Sequence, residues 1–186
     1  MVAAAGEMVY RQGLAATTLA QIAEAADVPL GNVYYYFKTK EEIVGAIVEA
    51  HVQRLRTALA EVERRRRSPK ARLKALIDVL AGRSDETARY GCPYGTLATE
   101  LAKRADGTDP LAADLMRIPL DWAERQFQEL GRKDAHRLAV ELVSAYQGAA
   151  VLAVTFGQPD LMAGQARRLR RWIDAQPVTP DGRSAD

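Results

Sequence analysis

Apolar residues in this chain return at intervals of three and four from end to end, with no sustained two-residue alternation. The first spacing lines one face of an α-helix; the second would mark a half-buried strand. Ala, Leu, Arg, Glu and Gln, all good helix formers, dominate. The expected fold class is all-α, with about nine helices and no sheet. Caps and breakers divide the chain. A first helix over roughly 2–12 stops at Gly13, with Ala5, Met8 and Val9 inward. Thr18 caps a second, roughly 19–26, with Leu19, Ile22, Ala23 and Ala26 inward. Asp27 ends it, because Asp enters the left-handed region more readily than most residues. Pro29 suits the first turn of a third, roughly 29–36. Thr39 caps a long fourth that runs to about Arg66, with Glu41 and Glu42 at its positive end. Ser68-Pro69 starts a fifth that ends near Gly82. "RSDETARYG" reads as a polar loop and "CPYGTLATELAKRA" as the sixth helix. In the loop "DGTDP", Asp109 caps a seventh helix, roughly 110–130. The eighth runs from about Asp134 to Thr155 and the ninth to about Gln176, and PVTPDGRSAD reads as a disordered tail.

Composition narrows the function classes. The lone Cys92 cannot form an internal disulfide, which points to a reducing cytoplasm. No apolar run reads as long enough for a membrane span, and the start lacks the pattern of a signal peptide. His51, His136 and Cys92 fall in no metal-ligand or triad spacing, so an enzyme is disfavoured and neither metal nor cofactor is expected.

Four adjacent aromatics in "DVPLGNVYYYFKTK" pose the sharpest question, in a chain with 7 Tyr, 3 Phe and 2 Trp. Successive helical side chains are turned by about 100°, so four in a row cannot share one buried face. With Val33 at the centre of the inner face, Phe37, Pro29, Leu30 and Tyr36 lie within about 60° of it. Gly31 and Tyr35 lie opposite, flanked by Asn32 and Tyr34. Phe37 and much of Tyr36 are therefore expected in the core, and Tyr34 and Tyr35 outside. Two short helices joined by a tight turn form a helix-turn-helix, whose second helix enters the DNA major groove. Tyr34 and Tyr35 can pack on sugar and donate to phosphate, Gly31 lets the backbone approach, and Asn32 can read a base edge. Against this stands the charge. Residues 1–50 hold three cations (Arg11, Lys38, Lys40) and six acids, a balance of −3, which leaves +5 for the rest.

The stretch "GLAATTLAQIAEAADVPLGNVYYYFKTKEEIVGAIV" resembles the TetR family of transcriptional repressors. It follows that family's pattern of G-x-x-x-T-T, I-A, a short turn, V, G-x-x-Y-x-x-F and K-x-E. The resemblance implies a DNA-binding domain over 1–48, an effector-binding and dimerisation domain over 49–176, and a tail over 177–186. By position, it carries DNA contacts onto Thr18, Leu30, Gly31, Asn32, Tyr34, Tyr35 and Lys40. Asp27 departs from the family's turn glycine, Leu30 from a commonly polar position, and the start from the basic leader of many relatives. A chain that lacks native N-terminal residues would show the same acidic balance. The implied function is a ligand-responsive, homodimeric repressor on a palindromic double-stranded operator, released by a small apolar or aromatic effector. The alternative is a helical small-molecule-binding or interaction protein with weak or no DNA binding.

Tyr90, Cys92, Tyr94, Leu97, Met116, Trp122, Phe127 and Tyr146 are the candidates to line an effector pocket, each also a plain core residue on its own pattern. Cys92 stands near a helix start, where a thiol can be activated, but a small buried residue is the simpler reading. Two apolar stripes, Leu138, Leu142, Ala145, Ala149 and Leu152 on one helix and Leu161, Leu169 and Trp172 on the next, are the candidate dimer interface. The arginine runs at 63–67 and 167–172 read as solvated helix ends.

Overall fold

The computed structural model describes residues 1–104 and 110–178. Asp109 with its loop and the tail from 179 onward, both assigned from sequence, lie outside the described residues. The described chain is all-α: α1 (Val2–Ala16), α2 (Leu19–Ala25), α3 (Leu30–Tyr36), α4 (Lys40–Arg65), α5 (Pro69–Ala81), α6 (Ser84–Tyr90), α7 (Pro93–Arg104), α8 (Pro110–Glu129), α9 (Ala135–Phe156) and α10 (Pro159–Ala175). The addition to the expected set is α6, which replaces the polar loop read there. Its Asp85 and Glu86 in the first turn and Arg89 in the last complement the helix dipole, and Thr87 and Ala88 are buried. Two small inward residues are too few to show as a period.

The chain divides into two units, Met1–Leu55 with Pro93–Met116, and Arg56–Cys92 with Arg117–Asp186. In the first, α1 packs on α7 and α2, and α2 on α3. The expected stop at Gly13 appears as a kink inside α1, with φ 83° and ψ 164°. Such a φ suits glycine, which has no Cβ to clash. Ala5, Val9, Leu14, Ile22, Val33 and Ile47 are buried in this unit.

In the second unit, α10 packs on α9, α5 and α6, and α6 packs on α9. Lys74 Nζ lies 2.6 Å from Asp174 Oδ1, and Arg170 pairs with Asp78. The Phe127 and Trp172 rings meet edge to face, 5.7 Å between centroids. One helix departs from the expectation about membranes: by length and composition alone, α9 is long and apolar enough to cross one. Its apolar residues are split between two faces. Leu138, Leu142, Tyr146 and Ala153 are buried, whereas Val140, Val151, Leu152 and Phe156 are exposed. The sequence reading missed that span because Arg137 and Glu141 interrupt its first turns.

Candidate nucleic-acid interface

The helix-turn-helix segment, α2 and α3 with the turn between them, is built by local rules. Thr18 caps α2 reciprocally: its hydroxyl accepts from Gln21 N–H at 3.2 Å, and Gln21 Oε1 accepts from Thr18 N–H at 2.9 Å. Such a box satisfies two donors that a helix start leaves unpaired. Asp27 then turns the chain with φ 53°, in the left-handed region as expected. Pro29 stands at the N-cap of α3, one position before the helical turn predicted for it. Thr39 Oγ1 accepts from Glu42 N–H at 3.2 Å, and Glu42 Oε2 accepts from Lys38 N–H at 2.7 Å. These paired bonds start α4.

Within α3 only Val33 is buried. Tyr34 and Tyr35 are exposed, as expected, and so are Gly31 and Asn32. A Cβ built on Gly31 meets nothing within 4 Å. Tyr36 corrects the sequence reading: it is 65% exposed rather than in the core. Lying within about 60° of Val33 buries a side chain only where a neighbour covers that height of the helix. Tyr36 ends α3, and its ring instead meets that of Tyr35 edge to face at 5.1 Å. Phe37 is half-buried, and Leu30 is 41% exposed, open to a contact. The seven residues assigned to DNA thus include six on open surface: Thr18, Leu30, Gly31, Asn32, Tyr34 and Tyr35. Lys40 is half-buried, and its ammonium donates to the Leu14 carbonyl. Lys38 Nζ donates to the Tyr34 carbonyl at 2.9 Å and stands 5.8 Å from the Tyr35 ring centroid.

Two contacts that sequence reasoning missed hold the head in place within its unit. Glu100 Oε2 on α7 accepts from Leu14 N–H at 2.7 Å, directly after the Gly13 kink. Arg104 Nη2, also on α7, donates to Glu41 Oε1 at 2.9 Å. A backbone N–H bond at its own position, and then Arg104, hold the Glu41 carboxyl below its ordinary value. Sequence spacing carries no signal for either contact, since their partners lie 86 and 63 positions apart.

The effector candidates are divided between the two units. Tyr94, Leu97 and Met116 belong to the first unit, and Tyr90, Cys92, Trp122, Phe127 and Tyr146 to the second. Leu97 lines a small niche with His51 and Glu100, and Tyr146 another with Ile77, Met162 and Leu169. Trp122 lines a larger cleft with Arg56, Leu59, Ala60, Glu63, Ile118, Asp121 and Arg125. Phe127 is fully buried. Cys92 is 4% exposed and accepts at 3.5 Å from Gln147 Nε2, a packed position in keeping with the simpler reading.

The residues assigned to the dimer differ in exposure. Leu138, Leu142, Ala149 and Leu169 are buried within the protomer, so these side chains are already taken. Ala145, Leu161 and Trp172 are half-buried, and Leu152 is exposed. The open stripe of α9 is Val140, Ser144, Gly148, Val151, Leu152 and Thr155. Their spacing of three and four puts them on one face. Two apolar stripes share this helix, and sequence alone does not say which is inward.

Known proteins share both the head and the fold. Residues 1–47 match the family described as bacterial regulatory proteins, tetR family. An uncharacterized HTH-type transcriptional regulator in the lacX 3'region of Lactococcus lactis subsp. lactis is 29% identical over 135 residues, 72% of this chain and 63% of that protein. The chain thus matches less than two thirds of that relative's length. The HTH-type transcriptional regulator TtgR of Pseudomonas putida is 27% identical over 158 residues, 80% of this chain and 75% of its own. Among solved structures, regulatory protein TetR from Rhodobacter sphaeroides superposes with TM-score 0.79 at 23% identity, over 91% of this chain and 95% of that one. The reduced form of E. coli NemR gives 0.80 at 17%, over 96% and 97%.

Proposed function

We infer that this chain, a member of the TetR family of bacterial transcriptional regulators, is a homodimeric repressor that binds a palindromic operator and releases it when a small effector binds. The observation that carries the DNA-binding reading is the outer face of α3, where Gly31, Asn32, Tyr34 and Tyr35 stand exposed on a helix anchored by Val33. Asn32 is the base reader, with adenine its natural partner, and Tyr34 and Tyr35 position the helix on sugar and phosphate. Leu30 suits a thymine methyl. Two such heads related by a two-fold axis match a palindrome, which supports a dimer. The open apolar stripe of α9 is the surface we assign to the second copy. The effector acts by shifting a population between states that hold the heads at or away from operator spacing, and only its differential affinity for those states can do so.

The test is selection of bound duplexes from a random pool with the purified protein, repeated at two salt concentrations. An enriched palindrome supports the repressor. Binding that stays blind to sequence at both salts rejects the assignment of α3 as a reading helix and favours a helical ligand-binding protein.

A further inference from the structure

Leu14 is a backbone joint at which side chains from two other helices meet. It follows the kink at Gly13, where the regular helical ladder is interrupted, and it is buried. Its N–H donates to Glu100 Oε2 on α7 at 2.7 Å. Its carbonyl accepts from Lys40 Nζ, at the start of α4, at 2.5 Å, and from Thr17 N–H at 3.3 Å. Gly13 leaves room for the carboxylate: a Cβ there would stand 3.3 Å from Glu100 Oε1 and 3.4 Å from Oε2. Glu100 thus lies against the kink and fixes how the Leu14 backbone is turned.

Lys40 is the one residue of the seven assigned to DNA that is half-buried rather than open. An ammonium has three donors on a flexible four-carbon stem. One is engaged on Leu14, and the ammonium has no other partner among the described residues. The tether holds the charge at the corner where α1 gives way to α2 and leaves two donors over. The carbonyl that holds it lies in the last turn of α1, whose negative end favours a cation. A side chain already held in place loses less freedom when a phosphate takes it up. α7 also grips the residue next to Lys40, through Arg104 Nη2 and Glu41 Oε1 at 2.9 Å.

We propose that Glu100 is a positioning residue for DNA binding: through the Leu14 backbone it sets the Lys40 ammonium where a phosphate oxygen of the duplex reaches it. Glu100 itself touches no DNA, and its role rests on the DNA-binding reading of α3.

The test is a double-mutant cycle with the full chain on the palindrome enriched from the random pool, each affinity measured across a range of salt. Lys40→Met is expected to weaken binding on the order of tenfold. It should also flatten the slope of log affinity against log salt by about 1.8, one phosphate for each of two chains. Glu100→Ala is expected to do the same, although it removes a negative charge, and Lys40→Met added to it should cost less than about twofold more. Glu100→Gln keeps an acceptor oxygen for the Leu14 N–H, so binding stays at or above wild-type strength and Lys40→Met remains costly in it. If Glu100→Ala melts below the assay temperature, Glu100→Asp, which draws the carboxylate back by one methylene, takes its place in the cycle. A merely structural Glu100 gives another pattern: Lys40→Met then costs as much in the Glu100→Ala background as in the wild type, which overturns the positioning role. Tighter binding by both Glu100→Ala and Glu100→Gln overturns it as well, because charge repulsion then accounts for Glu100. So does a Lys40→Met variant unchanged in affinity and slope. In each of these cases wild-type binding of the palindrome leaves the reading of α3 intact. A wild-type chain that enriches no palindrome removes that reading and the role of Glu100 with it.

Discussion

Asp27 is the residue on which the reading head turns. It adopts φ 53° and is exposed, so its side chain gains little from burial while its Cβ bears the strain of left-handed backbone. Glycine adopts that region freely. Replacing Asp27→Gly is expected to raise stability by about 0.5–1 kcal/mol, and Asp27→Val to lower it by about 1–2 kcal/mol, read from urea melts. If the glycine variant is less stable, strain at this turn is not the governing effect. Under the proposed reading, the outer residues of α3 divide by what they would touch on DNA. Asn32→Ala is expected to lose about 1–3 kcal/mol at one base pair and to relax sequence preference there. Tyr35→Phe removes only a hydroxyl, so operator binding should weaken evenly across sequences. A competition series over single-base operator variants separates the two patterns, and sequence-specific loss in Tyr35→Phe would contradict this division between base reader and backbone contact.

Between elements, the polar contacts are the ones to break. Leu14 is buried and follows the kink at Gly13, where the ordinary helical ladder is interrupted, and the Glu100 carboxylate takes its N–H. Glu100→Ala leaves that donor without its carboxylate and should cost about 1–3 kcal/mol in chemical denaturation; a neutral result would mean the kink relaxes without it. Ahead of α9, Asp134 accepts from Arg137 and from Arg132 at 3.0 Å. The Arg137 bond first, and then Arg132, hold its carboxyl below the ordinary 3.8. The depressed folded value means that the stabilisation is present above about 3.8 and fades as pH falls through the folded pKa. Melts of the wild type and Asp134→Asn should therefore differ at neutral pH and converge in acid; a difference that persists in acid removes ion pairing as its cause. These cases also mark what the sequence could show. Thr18, Asp27, Thr39 and Ser68 were legible because capping and turns are settled by neighbours in the chain. The outward face of Tyr34 and Tyr35 was legible from angle alone, but Tyr36 was not, because burial at the end of a short helix depends on what lies beside it. Glu100, Arg104 and the pairing of Trp122 with Glu63 join distant positions and leave no local trace.

For the whole molecule, the open question of affinity is one of charge. A dimer through the α9 stripe makes Leu152→Asp, on an exposed apolar position, the variant that should yield monomers in sedimentation while its helix content persists. A dimer that survives would place the interface elsewhere. Under the proposed reading, two joined heads would bring few cations to DNA. Residues 1–50 contain three, hence at most six in a pair of chains. Arg11 is 2.6 Å from Glu7, and Lys38 and Lys40 each donate to a backbone carbonyl. Each phosphate neutralised on duplex DNA contributes about −0.9 to the slope of log affinity against log salt. If Arg11 stays with Glu7 and both lysines turn to phosphate, the four remaining contacts predict a slope of about −3.6. The selectivity of such a head must then come mainly from Asn32, Leu30 and the two tyrosines, which salt does not screen. A measured slope steeper than about −6 would exceed what these three cations per chain can supply. Cations beyond residue 50 would then have to reach the operator, and the acidic head would be only part of the DNA-binding surface.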